Sequence, residues 1–230
     1  MGSRAYSTRA VGGSRFVAVL ALVGALTACT KSSTTTAVAG GIGLPAAGKV
    51  AWRFVGHLDQ NGSDFSGYGY LTQVDGLNDT QLYASGQPGE QSARFTVAIA
   101  SSLTSRSKLE NVTIVNTKGT ATIYYNESPA GSFSDPTSFA KGTAIAKADV
   151  DGQNVLNITS ADRNQGIAAA TAQLSQTSAS SFKVDGTSHQ FGRTGLVERM
   201  ALNGEGRRTD PTVPKSLIEV AGDIIVSAGS

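Results

Sequence analysis

The sequence predicts an all-β protein, a single antiparallel β-barrel of about eight strands, with a β-sandwich as the alternative. Two observations lead to this prediction. From residue 48 onward, apolar and polar residues alternate in short runs, which is the period of a half-buried strand. Turn-forming Gly, Asn and Asp separate the runs at roughly regular spacing, a pattern typical of barrels and sandwiches.

The first two predicted strands form a hairpin. In residues 50–58 the large apolar side chains share one parity, and in residues 65–74 two tyrosines alternate with two glycines. The intervening Asn61-Gly62 is typical of a tight turn. Alternating glycines in a strand indicate bending or the close approach of another backbone. The residues concerned are Val50, Trp52, Phe54, Leu58, Gly67, Tyr68, Gly69 and Tyr70.

The later strands are predicted by the same two signals. Residues 94–102 read as a strand, and hairpin turns are expected at residues 116–119, 151–152 and 185–187. The alanine-rich stretch 167–177 is predicted as a strand because polar and apolar residues alternate along it. Residues 217–226 are apolar without a decisive period, so a closing strand and a short helix both remain open.

Composition excludes several kinds of site. The chain of 230 residues has one cysteine and two histidines, which leaves no disulfide framework and no multi-thiolate zinc site. We therefore expect no metal and no cofactor. The formal charge of +2 does not indicate a nucleic-acid-binding protein.

The N-terminus has the pattern of a secretory signal. Arg4, Arg9 and Arg15 precede an uncharged apolar run over residues 16–26, which is too short for the roughly 20 residues that a membrane-spanning helix needs. The segment Leu26-Thr27-Ala28-Cys29 then resembles the lipobox of bacterial lipoproteins. This resemblance implies a signal peptide over residues 1–28, cleavage before Cys29, and a diacylglyceryl group on its sulfur.

The predicted cleavage changes the charge and the location of the chain. Without residues 1–28, the 19 basic residues fall to 16 against 17 acidic ones, a formal charge of −1. No polybasic stripe remains for nucleic acid, and the expected partner is the membrane, through the lipid anchor on the outer face of the bacterial cell membrane. Residues 29–47 are rich in Ser, Thr and Gly and are predicted to be a flexible tether, which places the barrel domain at residues 48–230.

A second resemblance concerns residues 131–143, Gly-Ser-Phe-Ser-Asp-Pro-Thr-Ser-Phe-Ala-Lys-Gly-Thr. This run resembles segments of uncharacterised exported actinobacterial proteins, and it is loosely similar to the glycine-rich hairpins of allene oxide cyclase and dirigent barrels. Those families imply an eight-stranded antiparallel barrel that binds or cyclises small apolar molecules. The resemblance assigns no catalytic residue in this chain.

Candidate functional residues are few. The aromatic set Trp52, Tyr68 and Tyr70 is the best candidate for binding a small apolar ligand, since the two strands are expected hairpin partners that bring the rings together, with core packing as the favoured interpretation. Glu127 and Glu198 are candidate acids for a cyclase-type or isomerase-type enzyme that needs no cofactor, with a solvated carboxylate as the favoured interpretation.

Other motifs give no catalytic site. There is no G-x-S-x-G, and Ser105-Arg106-Ser107-Lys108 matches S-x-x-K without its companion motifs. Three functions stay open: a ligand-binding or partner-binding envelope barrel, a barrel enzyme, and a structural or adhesive surface module. The oligomeric state is not predicted.

Overall fold

The structure is a computed structural model that describes residues 40–210 and 214–227. Eight strands close into an antiparallel barrel in the order β10-β11-β2-β3-β4-β5-β6-β7, because β10 pairs with both β11 and β7. The prediction of an all-β barrel is confirmed, in preference to the sandwich. The barrel strands are β2 (Val50–Asn61), β3 (Asp64–Val74), β4 (Phe95–Leu109), β5 (Val112–Tyr125), β6 (Thr143–Ser160), β7 (Gln165–Ala179), β10 (Val197–Asp210) and β11 (Lys215–Val226).

A second, three-stranded sheet covers one end of the barrel, which we call the cap end. It has the order β1-β9-β8, formed by β1 (Gly40–Ile42), β8 (Ser181–Val184) and β9 (Thr187–Phe191). Phe191 meets Trp52 edge-on with ring centroids 6.2 Å apart, and Phe182 lies 5.1 Å from Tyr125. These apolar contacts close the cap end.

Two short helices lie in the loops of the cap end. They are α1 (Asp79–Leu82) and a 3-10 helix (Pro136–Ala140). Asn78 caps α1 by accepting a hydrogen bond from the backbone N–H of Gln81. The opposite end of the barrel carries the connections β2–β3, β4–β5, β6–β7 and β10–β11, and we call it the hairpin end.

Small residues on the inner face let the strands coil tightly around the core. Gly56 and Gly69 are paired across β2 and β3, and a Cβ atom built on Gly56 would come within 2.2 Å of the Tyr68 carbonyl oxygen. The predicted close approach of backbones at this hairpin is therefore confirmed. On β7, inward-facing Ala168, Ala170 and Ala172 are buried and leave room for larger side chains from the other strands.

Several predictions for single elements are also confirmed. The alanine-rich stretch is strand β7, and the segment left open between strand and helix is strand β11. Tight turns occur at Gly62, with φ of +65°, and at Asp185-Gly186, with φ of +48° and +79°.

Two predicted turns are wrong, because both lie inside long strands. Residues 116–119 belong to the 14 residues of β5, and Asp151-Gly152 to the 18 residues of β6. A Cβ atom on Gly119 would lie 2.1 Å from the Ala100 carbonyl oxygen. Glycine is therefore needed here because the neighbouring backbone leaves no room for a side chain, and not because the chain turns. The polar neighbours Lys118 and Asp151 pair across β5 and β6 and form an ion pair at 3.3 Å on the outer surface.

The predicted boundary between tether and barrel domain is wrong for residues 40–47. Residues 40–42 form β1, which pairs in parallel with β9, and the Ile42 side chain is only 2% exposed. Gly43 donates its N–H to the Asp75 carbonyl. Polar, glycine-rich composition does not reveal a single isoleucine that inserts into a core formed elsewhere in the chain. Among the residues that the structure describes, the buried core extends from Ile42 to Val226, so a fragment of residues 40–230 contains every one of those core residues.

The segment that resembles a barrel hairpin is a loop in the structure. Residues 131–142 belong to the loop 126–142, which connects β5 to β6 and contains the 3-10 helix. The predicted signal peptide, Cys29 and residues 30–39 of the predicted tether lie outside the described residues.

Within the described residues, no helix is long and apolar enough to cross a membrane.

Candidate functional site

The interior of the barrel is filled by side chains. Two voids remain within it, of about 30 Å³ beside Met200 and about 20 Å³ beside Glu198. Ligand clefts usually measure roughly 300–1,000 Å³. Neither of these voids, both lined by described residues, has the several hundred cubic ångströms that would suit a barrel enclosing its ligand.

The hairpin end instead opens into a cleft of about 270 Å³. Its floor is apolar and is built from the inward-facing side chains of Phe65, Val115, Leu156 and Ile218, all of which are buried. Gln60, Ser216 and Asn154 add polar groups to the wall. We call this space the open-end cleft.

The unequal length of the hairpins produces the cleft. The pairing of β3 with β4 ends at Asp64 opposite Ser102, whereas β4 and β5 remain paired out to Leu109 opposite Val112. The β4–β5 hairpin therefore extends past the shorter β2–β3 hairpin and forms one wall. The β10–β11 hairpin and the end of β2 contribute another part of the lining.

Four basic side chains line the cleft, and none of its lining residues is acidic. Arg106 lies opposite Val115 and Lys108 opposite Thr113, so the register of β4 and β5 turns both cations toward the inner face. Arg208 lies opposite Ser216 on β10 and β11, and Lys215 begins β11. Strand pairing thus brings together cations that are far apart in sequence.

Three of these four cations have no charged partner among the described residues. Within the described residues, Arg106, Lys108 and Lys215 form no ion pair and no side-chain hydrogen bond. Asp210 lies directly opposite Lys215 where β10 pairs with β11, and it is the acidic residue paired with that cation. Like charges gathered in a concave, partly apolar site concentrate anions there.

A buried acid lies inside the barrel near the cap end. Glu198 is 4% exposed, and its Oε1 accepts a hydrogen bond of 2.9 Å from the Trp52 indole N–H. Burial raises the pKa of Glu198 to about 7, although the hydrogen bond from Trp52 partly opposes this effect. The favoured prediction of a solvated carboxylate is therefore wrong for Glu198, while Glu127 is exposed in the loop after β5.

A polar and aromatic cluster lies on the outer face of β2 and β3. The Tyr68 hydroxyl donates a hydrogen bond of 2.8 Å to Asp59 Oδ2, and the His57 ring stacks on the Tyr68 ring at 5.2 Å. Phe133, from the β5–β6 loop, covers the cluster with its ring 4.9 Å from His57. Burial raises the pKa of Asp59, and the Tyr68 hydrogen bond and nearby His57 partly oppose the rise. The cluster holds this loop against the barrel wall.

The structure does not bring the predicted aromatic set together. Trp52 faces the barrel interior beneath Phe191, whereas Tyr68 and Tyr70 face outward and contact Phe133. The expectation that the three rings share one site is wrong, because β2 and β3 are paired so that Tyr68 lies beside His57 and Trp52 beside Val74. A role of any single ring in ligand binding stays a prediction.

Sequence reasoning missed the open-end cleft and the interior position of Glu198. Arg106 and Lys108 stand two apart in a strand, which places both on one face, yet they were considered only as part of an S-x-x-K match. Glu198 shares its parity with buried Leu196, Met200 and Leu202, which was a usable signal of an inward position.

Metal binding finds no support in the described part of the chain, where no three His, Cys, Asp or Glu side chains gather into a group that could hold an ion. The candidate site is therefore the open-end cleft, which can bind a ligand through apolar contact and positive charge. This assignment depends on its geometry alone. No protein-family model, curated protein or solved structure matches the chain.

Proposed function

We propose that this chain is an exported, lipid-anchored β-barrel protein of the bacterial cell envelope that binds a small ligand in the open-end cleft. The observation that supports binding is the cleft itself, an opening of about 270 Å³ with an apolar floor at the end of a filled barrel. Burial of apolar ligand surface in such a floor contributes about 25 cal/mol per Å². A cleft slightly below the usual volume favours a short ligand, or one that stays partly exposed.

The lipid anchor is supported by the lipobox resemblance at Leu26-Thr27-Ala28-Cys29. Stable attachment needs two or more acyl chains, because a single chain binds a membrane only marginally. Cells are fed an alkyne-labelled fatty acid. We expect the native chain to carry the label and the Cys29→Ala variant to lack it. Unchanged labelling or unchanged membrane retention in Cys29→Ala contradicts the anchor.

Ligand binding is tested by filling the cleft. Thr113 lines the cleft and Thr120 faces outward on the same strand, so Thr113→Trp and Thr120→Trp add the same side chain in different places. The fragment of residues 40–230 is screened by thermal shift against octanol, octanoate and octyl phosphate. A ligand that binds only the folded state raises Tm. We expect a shift in the native fragment and in Thr120→Trp, and none in Thr113→Trp.

A structural or adhesive surface module is the second candidate, since the filled barrel interior favours it. The same screen distinguishes the two functions. If no probe shifts the Tm of the native fragment, the proposal of a ligand-binding protein is wrong and the structural or adhesive function takes its place. The enzyme alternative has no comparable support, because Glu198 borders a void of about 20 Å³ that leaves no room for a substrate.

A further inference from the structure

The open-end cleft has two chemically different zones. The floor is formed by the buried apolar side chains of Phe65, Val115, Leu156 and Ile218, and the rim carries Arg106, Lys108, Arg208 and Lys215. We propose that the ligand of this cleft is an amphiphile whose polar group is an anion, either a phosphate or a carboxylate. The proposal rests on the proposed function, that the cleft binds a ligand, and it adds the chemical class of that ligand.

The rim selects for negative charge. Arginine matches the two oxygens of a carboxylate or phosphate with paired N–H donors, and lysine adds a mobile point charge. Arg106 and Lys108 stand on one strand, and Lys215 comes from the β10–β11 hairpin that also lines the cleft. An anion at the mouth is therefore approached from more than one strand. A cationic group is repelled at the rim, and a neutral oxygen accepts hydrogen bonds there without the added attraction between opposite charges.

The floor selects for an apolar chain. Phe65 comes from β3, Val115 from β5, Leu156 from β6 and Ile218 from β11, so apolar side chains from four strands contribute to the floor. A bare inorganic anion uses only the rim and leaves this surface in contact with water. A chain attached to the anion covers the surface and adds the hydrophobic contribution to the electrostatic one.

Acidic groups near the mouth do not cancel the rim. Glu110 lies in the β4–β5 turn, and Asp210 stands opposite Lys215, but neither lines the cleft. The β6–β7 turn carries Asp162, which is engaged by Arg163 at 3.7 Å and by Ser160 at 2.7 Å. Among the described residues, the lining of the cleft therefore includes four basic side chains and no acidic one, and Arg106, Lys108 and Lys215 are the three without an ion pair.

The test separates the two zones by chemistry. Circular dichroism first confirms that the fragment of residues 40–230 is folded. Isothermal titration calorimetry then measures its affinity for octyl phosphate, octanoate, octanol, octylammonium and inorganic phosphate. We expect octyl phosphate and octanoate to bind at least tenfold more tightly than octanol, octylammonium or inorganic phosphate. Equal affinity for octyl phosphate and octanol overturns the anionic class but leaves the binding function intact. Absence of all amphiphile binding overturns both.

Paired variants test the rim itself. The double variant Arg106→Gln with Lys108→Gln is expected to weaken octyl phosphate binding at least tenfold and to leave octanol binding unchanged. The control is Arg199→Gln with Lys147→Gln, which removes one arginine and one lysine from the exposed outer face. The control is expected to bind like the native fragment. An equal loss of octyl phosphate affinity in the two double variants would show that binding depends on the overall charge of the protein and not on the rim. This result would overturn the proposal.

The anionic amphiphile has two possible sources, a free molecule or the headgroup of a membrane lipid. Sedimentation with phosphatidylglycerol vesicles, compared with phosphatidylcholine vesicles, distinguishes them. Binding to the anionic vesicles that is lost in the Arg106 and Lys108 variant supports the anionic class with a membrane source. Binding of soluble octyl phosphate without vesicle binding supports it with a free source, and binding to neither overturns it.

Discussion

Trp52 and Glu198 are 146 residues apart in sequence and form a hydrogen bond of 2.9 Å inside the barrel. The bond joins β2 to β10 beneath the cap sheet, where the indole N–H has no access to water and needs an acceptor. Glu198 supplies that acceptor at the cost of a carboxyl group in an apolar interior. The pair therefore links the closure of the barrel to the protonation state of one side chain.

The first prediction is that stability falls as pH rises from about 4.5 to about 7 and levels off above this range. The folded pKa of Glu198, about 7, lies above the ordinary value of 4.5, so between these pH values the folded state holds a proton that the unfolded chain has released. The contribution of this proton to the free energy of unfolding is fully present below about pH 4.5. It amounts to about 3 kcal/mol and is lost as the pH rises through about 7. Urea unfolding of the fragment of residues 40–230 at several pH values measures how the free energy of unfolding depends on pH.

A matched pair of variants isolates this effect. Glu198→Gln keeps an acceptor for the indole N–H and removes the titration, so its free energy of unfolding is expected to change less over the same pH range. Glu219→Gln removes an exposed carboxylate on β11 and should retain the native pH dependence. An unaltered slope in Glu198→Gln would assign the pH dependence to another group.

The second prediction concerns the indole donor. The Trp52 hydrogen bond lowers the pKa of Glu198, so Trp52→Phe should raise that pKa above 7. The same change should destabilise the fold by about 2 kcal/mol, from the lost hydrogen bond and lost packing. The pKa is measured by NMR titration of the Glu198 side-chain carboxyl carbon. A double-mutant cycle with Glu198→Met, which removes the acceptor at similar volume, separates the hydrogen bond from packing, and an unchanged pKa of Glu198 in Trp52→Phe contradicts the interpretation.

Local patterns predicted the fold class because strand period and turn chemistry are local properties. They failed where one residue type serves two purposes. Gly119 and Gly152 read as turn glycines but lie within long strands, and Gly119 meets the backbone of β4 too closely for any side chain. Composition alone does not distinguish these uses.

The candidate site was out of reach for a different reason. The cleft depends on a register that brings Arg106 to the same opening as Lys215, and no local pattern specifies that pairing. The separation of Trp52 from Tyr68 was within reach. A two-residue turn at Gly62-Ser63 pairs Asn61 with Asp64, and as far as Phe54 opposite Leu71 this register places even-numbered residues of β2 on the face of odd-numbered residues of β3, away from Tyr68.

The third prediction concerns the outer cluster. Tyr68 donates a hydrogen bond to Asp59 that lowers the pKa of the carboxyl, so Tyr68→Phe should raise the Asp59 pKa further. Removal of a hydrogen bond to a partly buried carboxylate should cost about 2 kcal/mol. Tyr70→Phe is the control, because Tyr70 contacts Phe133 but not Asp59. A shift of the Asp59 pKa in Tyr70→Phe as large as in Tyr68→Phe would contradict the assignment of this hydrogen bond.

The fourth prediction tests whether β1 belongs to the folded barrel. Ile42 is 2% exposed within the core, so Ile42→Ala should remove buried methyl groups and leave a cavity, at a cost of about 2–4 kcal/mol. Ile167 is 61% exposed on β7, and Ile167→Ala makes the same chemical change where little surface is buried, so it should alter stability by less than about 0.5 kcal/mol. Urea unfolding of both variants of the fragment of residues 40–230 gives the comparison. Equal stability of the two variants would mean that residues 40–47 act as a tether after all, since a segment that does not pack against the core has no apolar contact to lose.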